Sequence, residues 1–257
     1  MDFSAPYYSL LLPRYIYIAC CRRGQGQVAS LRNEPGGDRG SSTKHHQANN
    51  ARSMTQSSSI LLKGDSTDTV AEFFEYAVCS ILYQRGVYPA EQFEAKKAFG
   101  ISVQVVKDLG LKAYLKDVFT YFTSWLKTGT LQKTVLVIMG AKSGEVLERW
   151  SFDVSVAGGT EVEGTTTGRI ESDRERKTLQ EIQAIIRQIT ASVTFLPLLE
   201  ETCSIDLLAY TDKDAAVPDA CEESDARIIP DGANVQLRSF STAMHKVEAV
   251  VSYKQDL

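Results

Sequence analysis

Thr134-Val135-Leu136-Val137-Ile138-Met139-Gly140-Ala141-Lys142-Ser143-Gly144-Glu145-Val146-Leu147-Glu148-Arg149-Trp150-Ser151-Phe152-Asp153-Val154-Ser155-Val156 is the stretch on which the fold turns. Thr134 to Met139 is a continuous apolar, largely β-branched run, the composition of a strand buried on both faces. Ser143-Gly144 marks a turn. Beyond it, Trp150, Phe152, Val154 and Val156 alternate with Ser151, Asp153 and Ser155, so one face is apolar and the other polar. The two runs predict a hairpin whose large apolar side chains need a second layer to cover them.

Helices on either side supply that layer. Val70, Phe73, Phe74, Ala77 and Ile81 follow helical spacing, widened by Val78 and Leu82. Thr69-x-x-Glu72 has capping-box form, and Gly86 and Pro89 stop the helix. Ile101 to Val106 is a short strand candidate. A second helix carries Leu111, Leu115, Val118, Phe119, Phe122, Trp125 and Leu126 on one face, with Gly129 just past its end. A third is charged from Glu171 to Lys177, then repeats Leu179, Ile182, Ile186, Ile189 and Val193 until Pro197.

The C-terminal part behaves differently. Cys203, Ile205, Leu207 and Ala209 alternate along a strand. Asp212 to Ala233 is rich in Asp, Ala, Pro and Gly and has no apolar period; loops of this length in compact domains are usually functional or disordered. Val235 to Phe240 and Lys246 to Tyr253 then predict two more strands around Ser241 to His245. The sum is one α+β domain, three helices packed on a mainly antiparallel sheet.

Charge is unevenly spread. Residues 1–53 hold seven Lys/Arg against three Asp/Glu, leaving 21 against 29 for residues 54–257. An acidic body argues against a general nucleic-acid binder, which carries a basic face, and suits basic partner peptides. The five cysteines, Cys20, Cys21, Cys79, Cys203 and Cys221, have neither paired C-x-x-C spacing nor an even count. They predict reduced thiols in a nucleus or cytosol rather than zinc or disulfides.

Chemistry of the catalytic kind is sparse. His245 is the one histidine of the predicted folded body, and a lone histidine near a strand reads as structural. Glu145 and Asp153 stand far apart along one strand at ~3.3 Å per residue. The Gly/Thr-rich loop from Gly158 to Gly168 has no phosphate-binding signature. The expectation is a binding protein without metal, cofactor or catalytic residues. A long loop followed by a two-strand unit can pair with more than one sheet edge, and an exposed edge can take a partner's strand.

Four blocks carry a resemblance: Ser80-Ile81-Leu82-Tyr83-Gln84-Arg85-Gly86-Val87-Tyr88-Pro89, Gly144 to Asp153, Ile186 to Glu200, and Tyr210-Thr211-Asp212-Lys213-Asp214. Their order and spacing resemble the mitotic-arrest-deficient-two family of spindle-checkpoint HORMA proteins, from roughly residue 60 onward. The resemblance implies a HORMA fold with a mobile C-terminal “safety belt”, here Thr211 to Leu257, including Pro218, Cys221, Leu237, Phe240, His245 and Tyr253. In the family's open state the C-terminal hairpin covers the edge of the strand that here holds Cys203, Ile205, Leu207 and Ala209. In its closed state the hairpin moves to the strand matching Glu145 to Val156, and the freed edge takes a peptide under the belt.

The resemblance also implies partners. These are a kinetochore receptor (mitotic arrest deficient one), the activator of the anaphase-promoting complex, a checkpoint adaptor, an AAA+ remodelling ATPase, and a second copy in an open–closed pair. Holding the activator delays anaphase. No nucleic acid and no membrane is implied, and the setting is the nucleus, kinetochore and cytoplasm. Arg187, Gln188 and Phe195 match the family's dimer interface. Arg187 and Gln188 lie off the apolar stripe and are expected to face solvent, whereas core burial competes for Phe195. Cys221 replaces the family's Trp, and one extra residue stands between Gly64 and Val70. Two other readings are the HORMA accessory subunit of translesion polymerase zeta and a structural scaffold that does not switch.

Residues 1–53 read as an addition to this domain. Tyr7 to Cys21 is apolar but broken by Pro13 and Arg14, too short to span a bilayer, and preceded by Asp2 where a secretory signal wants positive charge. Gly24 to Ser53 reads as disorder. The expectation is a disordered or spuriously translated extension over 1–53, dispensable for a domain over 54–257.

Overall fold

A computed structural model describes residues 15–19, 66–157 and 167–255. Strand β1 is Tyr15–Ala19 and helix α1 is Ser66–Gln84. Strands β2 (Phe93–Ala98) and β3 (Ile101–Val106) precede α2 (Leu109–Lys127). Strands β4 (Leu131–Gly140) and β5 (Val146–Val156) precede α3 (Thr167–Ala191). The chain ends with β6 (Cys203–Asp212), the two-residue β7 (Glu222–Glu223), β8 (Ala233–Ser241) and β9 (His245–Tyr253). Seven strands form one sheet in the order β7-β1-β6-β4-β5-β9-β8, while β2 and β3 form a separate hairpin. Among the described residues every strand pairing is antiparallel.

The predicted β4–β5 hairpin forms the middle of the sheet, Leu136 opposite Trp150 and Thr134 opposite Phe152. Trp150 and Phe152 are buried on the helical side. The helix they meet is α1, buried nearly all round: Val70, Phe73, Phe74, Ala77 and Ile81 as expected, and Tyr76, Val78, Cys79 and Leu82 as well. Only a strip at Asp68, Glu72 and Glu75 is exposed, so α1 is covered by its neighbours over most of its circumference. Phe73 meets Phe152 at 5.8 Å and Phe240 at 4.7 Å between ring centroids. Helix α2 starts at Asp108, whose Oδ1 accepts the Leu111 N–H at 2.8 Å. Its stripe from Leu115 to Leu126 is buried, and Gly129 turns the chain away at φ 70°.

Several expectations need correction. Strand β2 was not foreseen, because its four inner residues are all exposed and only Phe93 and Ala98 are buried; such a strand leaves no alternating pattern. Thr69-x-x-Glu72 does not cap α1, which begins earlier, at Ser66. Val193 leaves the core stripe for a short 3-10 turn and is exposed, as is Val156 at the end of β5. Most of the Gly158–Gly168 loop lies outside the described residues. Within 1–53, Tyr15–Ala19 is a strand of the main sheet, with Ile18 fully buried in the principal core; the reading of 1–53 as disorder is corrected there. The remainder of that segment lies outside the described residues.

Candidate functional site

The residues that stand out are grouped around β6. One long edge of β6 pairs with β4. The other pairs with β1, in the register Tyr15 to Asp212, Ile16 to Thr211, Tyr17 to Tyr210, Ile18 to Ala209 and Ala19 to Leu208. The free edge of β1 pairs in turn with β7, Ile18 opposite Glu223 and Ala19 opposite Glu222. A five-residue strand is thus held between two others. Its side chains split by parity: Ile18 joins the helical core with Ala209, and Ala19 joins a small cluster on the second face with Val135, Val137 and Leu208.

The segment from β6 to β8 runs from the helical side, past the outer edge of β1, to the second face, and is tied down at intervals. Trp125 Nε1–H donates to the Ala216 carbonyl at 2.9 Å. The Cys221 N–H donates to the carbonyl of the half-buried Pro218 at 2.9 Å, and the Cys221 side chain is buried in the core. Thr211 is fully buried. Arg149 on β5 donates through Nε to the Ala226 carbonyl at 3.2 Å and through a terminal nitrogen to the Tyr210 hydroxyl. Arg227 lies 3.7 Å from Asp206 on β6. Burial pushes the Asp206 carboxyl above its ordinary value, outweighing the pull of Arg227. The sequence pointed to Trp125 only as core; its second role as a donor to the crossing segment carried no signal.

The β8–β9 hairpin sits on the opposite side of the sheet, β9 against β5 from Glu148–Tyr253 to Val156–His245. Phe240, Val247, Ala249 and Val251 anchor it in the core, with Leu237 also buried and Tyr253 half-buried. Helix α3 grips the outer strand: the Ser241 N–H donates to Glu181 Oε2 at 3.0 Å, and the Arg238 N–H donates to Gln188 Oε1 at 2.7 Å. His245 is buried at the hairpin turn, its N–H donating to Thr242 Oγ1 at 2.9 Å with Ser66 Oγ 3.4 Å from Nδ1. That is a structural histidine.

Of the four residues expected on the peptide edge, only Ala209 lies in the stretch that pairs with β1. Cys203, Ile205 and Leu207 precede it on β6, so the occupied edge is Leu208 to Asp212. Among the α3 residues, Arg187 is exposed, but Gln188 is half-buried and spends its side chain on β8 rather than facing solvent freely. Phe195 is 42% exposed, next to Leu198 at 79%. Arg187 on α3 and Phe195 and Leu198 beyond it are thus all exposed. Among the described residues no group of acidic, histidine or cysteine side chains is arranged to hold a metal ion. No described helix is long and apolar enough to cross a membrane. Cys203 is half-buried and its thiol is pushed up to about 11, chiefly by desolvation.

Beneath the site lies one buried polar network. Arg85 Nε–H donates to Glu148 Oε1 at 2.7 Å, and a terminal Arg85 nitrogen donates to the Pro197 carbonyl. Trp150 Nε1–H donates to Glu148 Oε2 at 2.9 Å. Arg85, Glu148 and Trp150 are all buried.

Comparison with known proteins finds the HORMA domain model matching residues 66–245. The chain is similar to the mitotic spindle assembly checkpoint protein MAD2A of Dictyostelium discoideum, 48% identical over 78% of this chain and 96% of that one. It is similar to MAD2A of Homo sapiens at 46%, covering 79% and 97%. Among solved structures, a chain of the mitotic checkpoint complex crystal structure superposes with a TM-score of 0.67 and 44% identity, covering 74% of this chain and 98% of that one.

Proposed function

The chain belongs to the HORMA family and, within it, to the MAD2 spindle-checkpoint proteins, and from that premise we propose that it delays anaphase by capturing partner peptides. It is a regulator of mitosis that binds partners within a checkpoint complex. The peptide enters as a strand along β6, residues 213–232 close over it, and the β8–β9 hairpin swaps edges between an open and a closed form. The expected partners are a kinetochore receptor and the activator of the anaphase-promoting complex, with an adaptor and an AAA+ ATPase opening the closed form. The expected setting is the kinetochore, the nucleus and the cytoplasm, and no catalytic step is assigned to the chain.

One observation supports this above the rest: a short strand lies between β6 and β7 while the hairpin occupies β5. That is the arrangement the family resemblance ascribes to a closed form holding a peptide. The accessory-subunit reading is not favoured, because the relatives that span three quarters or more of this chain at 42–48% identity bear the checkpoint name. The test is capture of a fluorescent receptor-derived peptide by the full chain, followed by anisotropy. Dissociation is expected to be slow for the contact area, because exit requires the belt to open. A chain cut before Ser239 that stays folded by circular dichroism and retains its peptide as long as the intact one would sink the reading.

A further inference from the structure

We propose that residues Tyr15–Ala19 are a built-in ligand of the capture edge: the chain holds its own N-terminal strand where a partner peptide would lie, and partners must displace it. This rests on the capture reading and adds an occupant to it.

The pairing pattern carries the inference. With β9 on β5, the outer edge of β6 would offer a row of unpaired backbone groups, an open template for another strand. β1 fills that edge along Leu208 to Asp212 and offers its own outer edge to β7. Ile18 and Ala19 are thereby paired on both sides, to β6 and to the β7 strand of the crossing segment. The side chains fit the position. Ile18 is fully buried in the main core, and Ala19 is 4% exposed on the second face. The composition Tyr-Ile-Tyr-Ile-Ala favours an extended strand.

The covalent connection makes occupancy within one chain feasible. Residues 20–65 join Ala19 to α1, a length that spans on the order of 150 Å when extended. A tethered segment faces its site at an effective concentration in the millimolar range when the linker is short and flexible, and somewhat lower for a long one. A free peptide at micromolar concentration therefore binds only in the fraction of time the edge is vacant, and its apparent affinity falls by that fraction.

The experiment compares full-length chains. One is the parent and a second carries Ile18→Asp, which puts a charge in the core position. A third carries Tyr17→Pro, which removes a ladder N–H without changing the buried side chain, and Ile18→Leu is the conservative control. Circular dichroism checks that each is folded. The probe is a fluorescein-labelled synthetic peptide of residues 12–22, with Ser for Cys20 and Cys21. Capture by the Ile18→Asp and Tyr17→Pro chains is expected to be at least tenfold faster than by the parent, with Ile18→Leu behaving as the parent. In the parent without probe, the amides of Leu208 to Asp212 are expected to exchange slowly with deuterium, and faster in the two disrupted chains.

Equal capture rates, or equal exchange at Leu208 to Asp212, would overturn the proposal. So would protection that vanishes on dilution along with a sedimenting dimer, since the strand would then come from a second copy. If the disrupted chains take up the residue 12–22 peptide but never a receptor-derived one, the checkpoint-capture reading fails while the built-in ligand stands.

Discussion

Arg85 and Glu148 form an enclosed ion pair, Nε to Oε1 at 2.7 Å, in which the residue just past α1 is bound to the central hairpin strand. Glu148 also accepts from Trp150, and Arg85 reaches the carbonyl of Pro197 beyond α3. Three of the four sequence blocks that carried the family resemblance thus meet at one point. Removing one partner leaves a buried charge without compensation, which costs roughly 3–5 kcal/mol. Arg85→Met and Glu148→Leu are each expected to lower the urea midpoint sharply, and the double variant to recover much of the loss. Additive losses in that cycle would show that the pair does not act as a unit.

The Trp125 indole holds the start of the crossing segment through the Ala216 carbonyl. Trp125→Phe gives up this bond and some buried volume, for a loss of about 2–3 kcal/mol. Its distinguishing sign is local. Deuterium exchange should rise from Asp214 to Cys221 more than in β4 or β5. Uniform acceleration over the whole sheet would mean that Trp125 acts only through the core.

Asp206 has its pKa raised by burial, so its ionisation opposes folding. In the folded state it holds its proton to higher pH than when unfolded. Its contribution is therefore most favourable at acid pH and is lost as pH rises from 3.8 through the raised value. Relative to Asp206→Asn, the parent is expected to lose stability over that window, and the variant to be as stable or more stable at pH 7. A parent that gains on the variant as pH rises would show that the ion pair with Arg227 outweighs desolvation.

Arg187, Phe195 and Leu198 are exposed and take no part in the core. If they pair an open copy with a closed one, Arg187→Glu with Phe195→Ser should leave a folded monomer with an unchanged melting temperature. Gln188 is left alone in this test because its side chain serves β8. Light scattering that still detects dimers would place the interface elsewhere.

Much of this architecture was readable where burial imposes a period. The α2 stripe from Leu115 to Leu126 and the Trp150–Phe152–Val154 alternation both survived into the structure. β2 was lost because its inner residues face solvent and leave no pattern. Gln188 was misjudged because spacing shows which face a side chain leaves, not which neighbouring strand will claim it. The strand at Tyr15–Ala19 was hidden for a different reason. Its partner, Leu208 to Asp212, lies almost two hundred residues later along the chain, and no local pattern encodes so distant a pairing.

The confinement of β1 between β6 and β7 bears on how such a complex is born. A foreign peptide must enter beneath a segment already in place, or wait for that segment to lift. Tyr15 leaves the ribosome before any of the residues that will enclose it. At ~5–20 residues per second, about 10–45 s pass before Ile229 is synthesised. An enclosure that folds after its inner strand has been made can close around that strand. Vectorial synthesis thus offers a loading route with no threading step, open once in the life of each molecule.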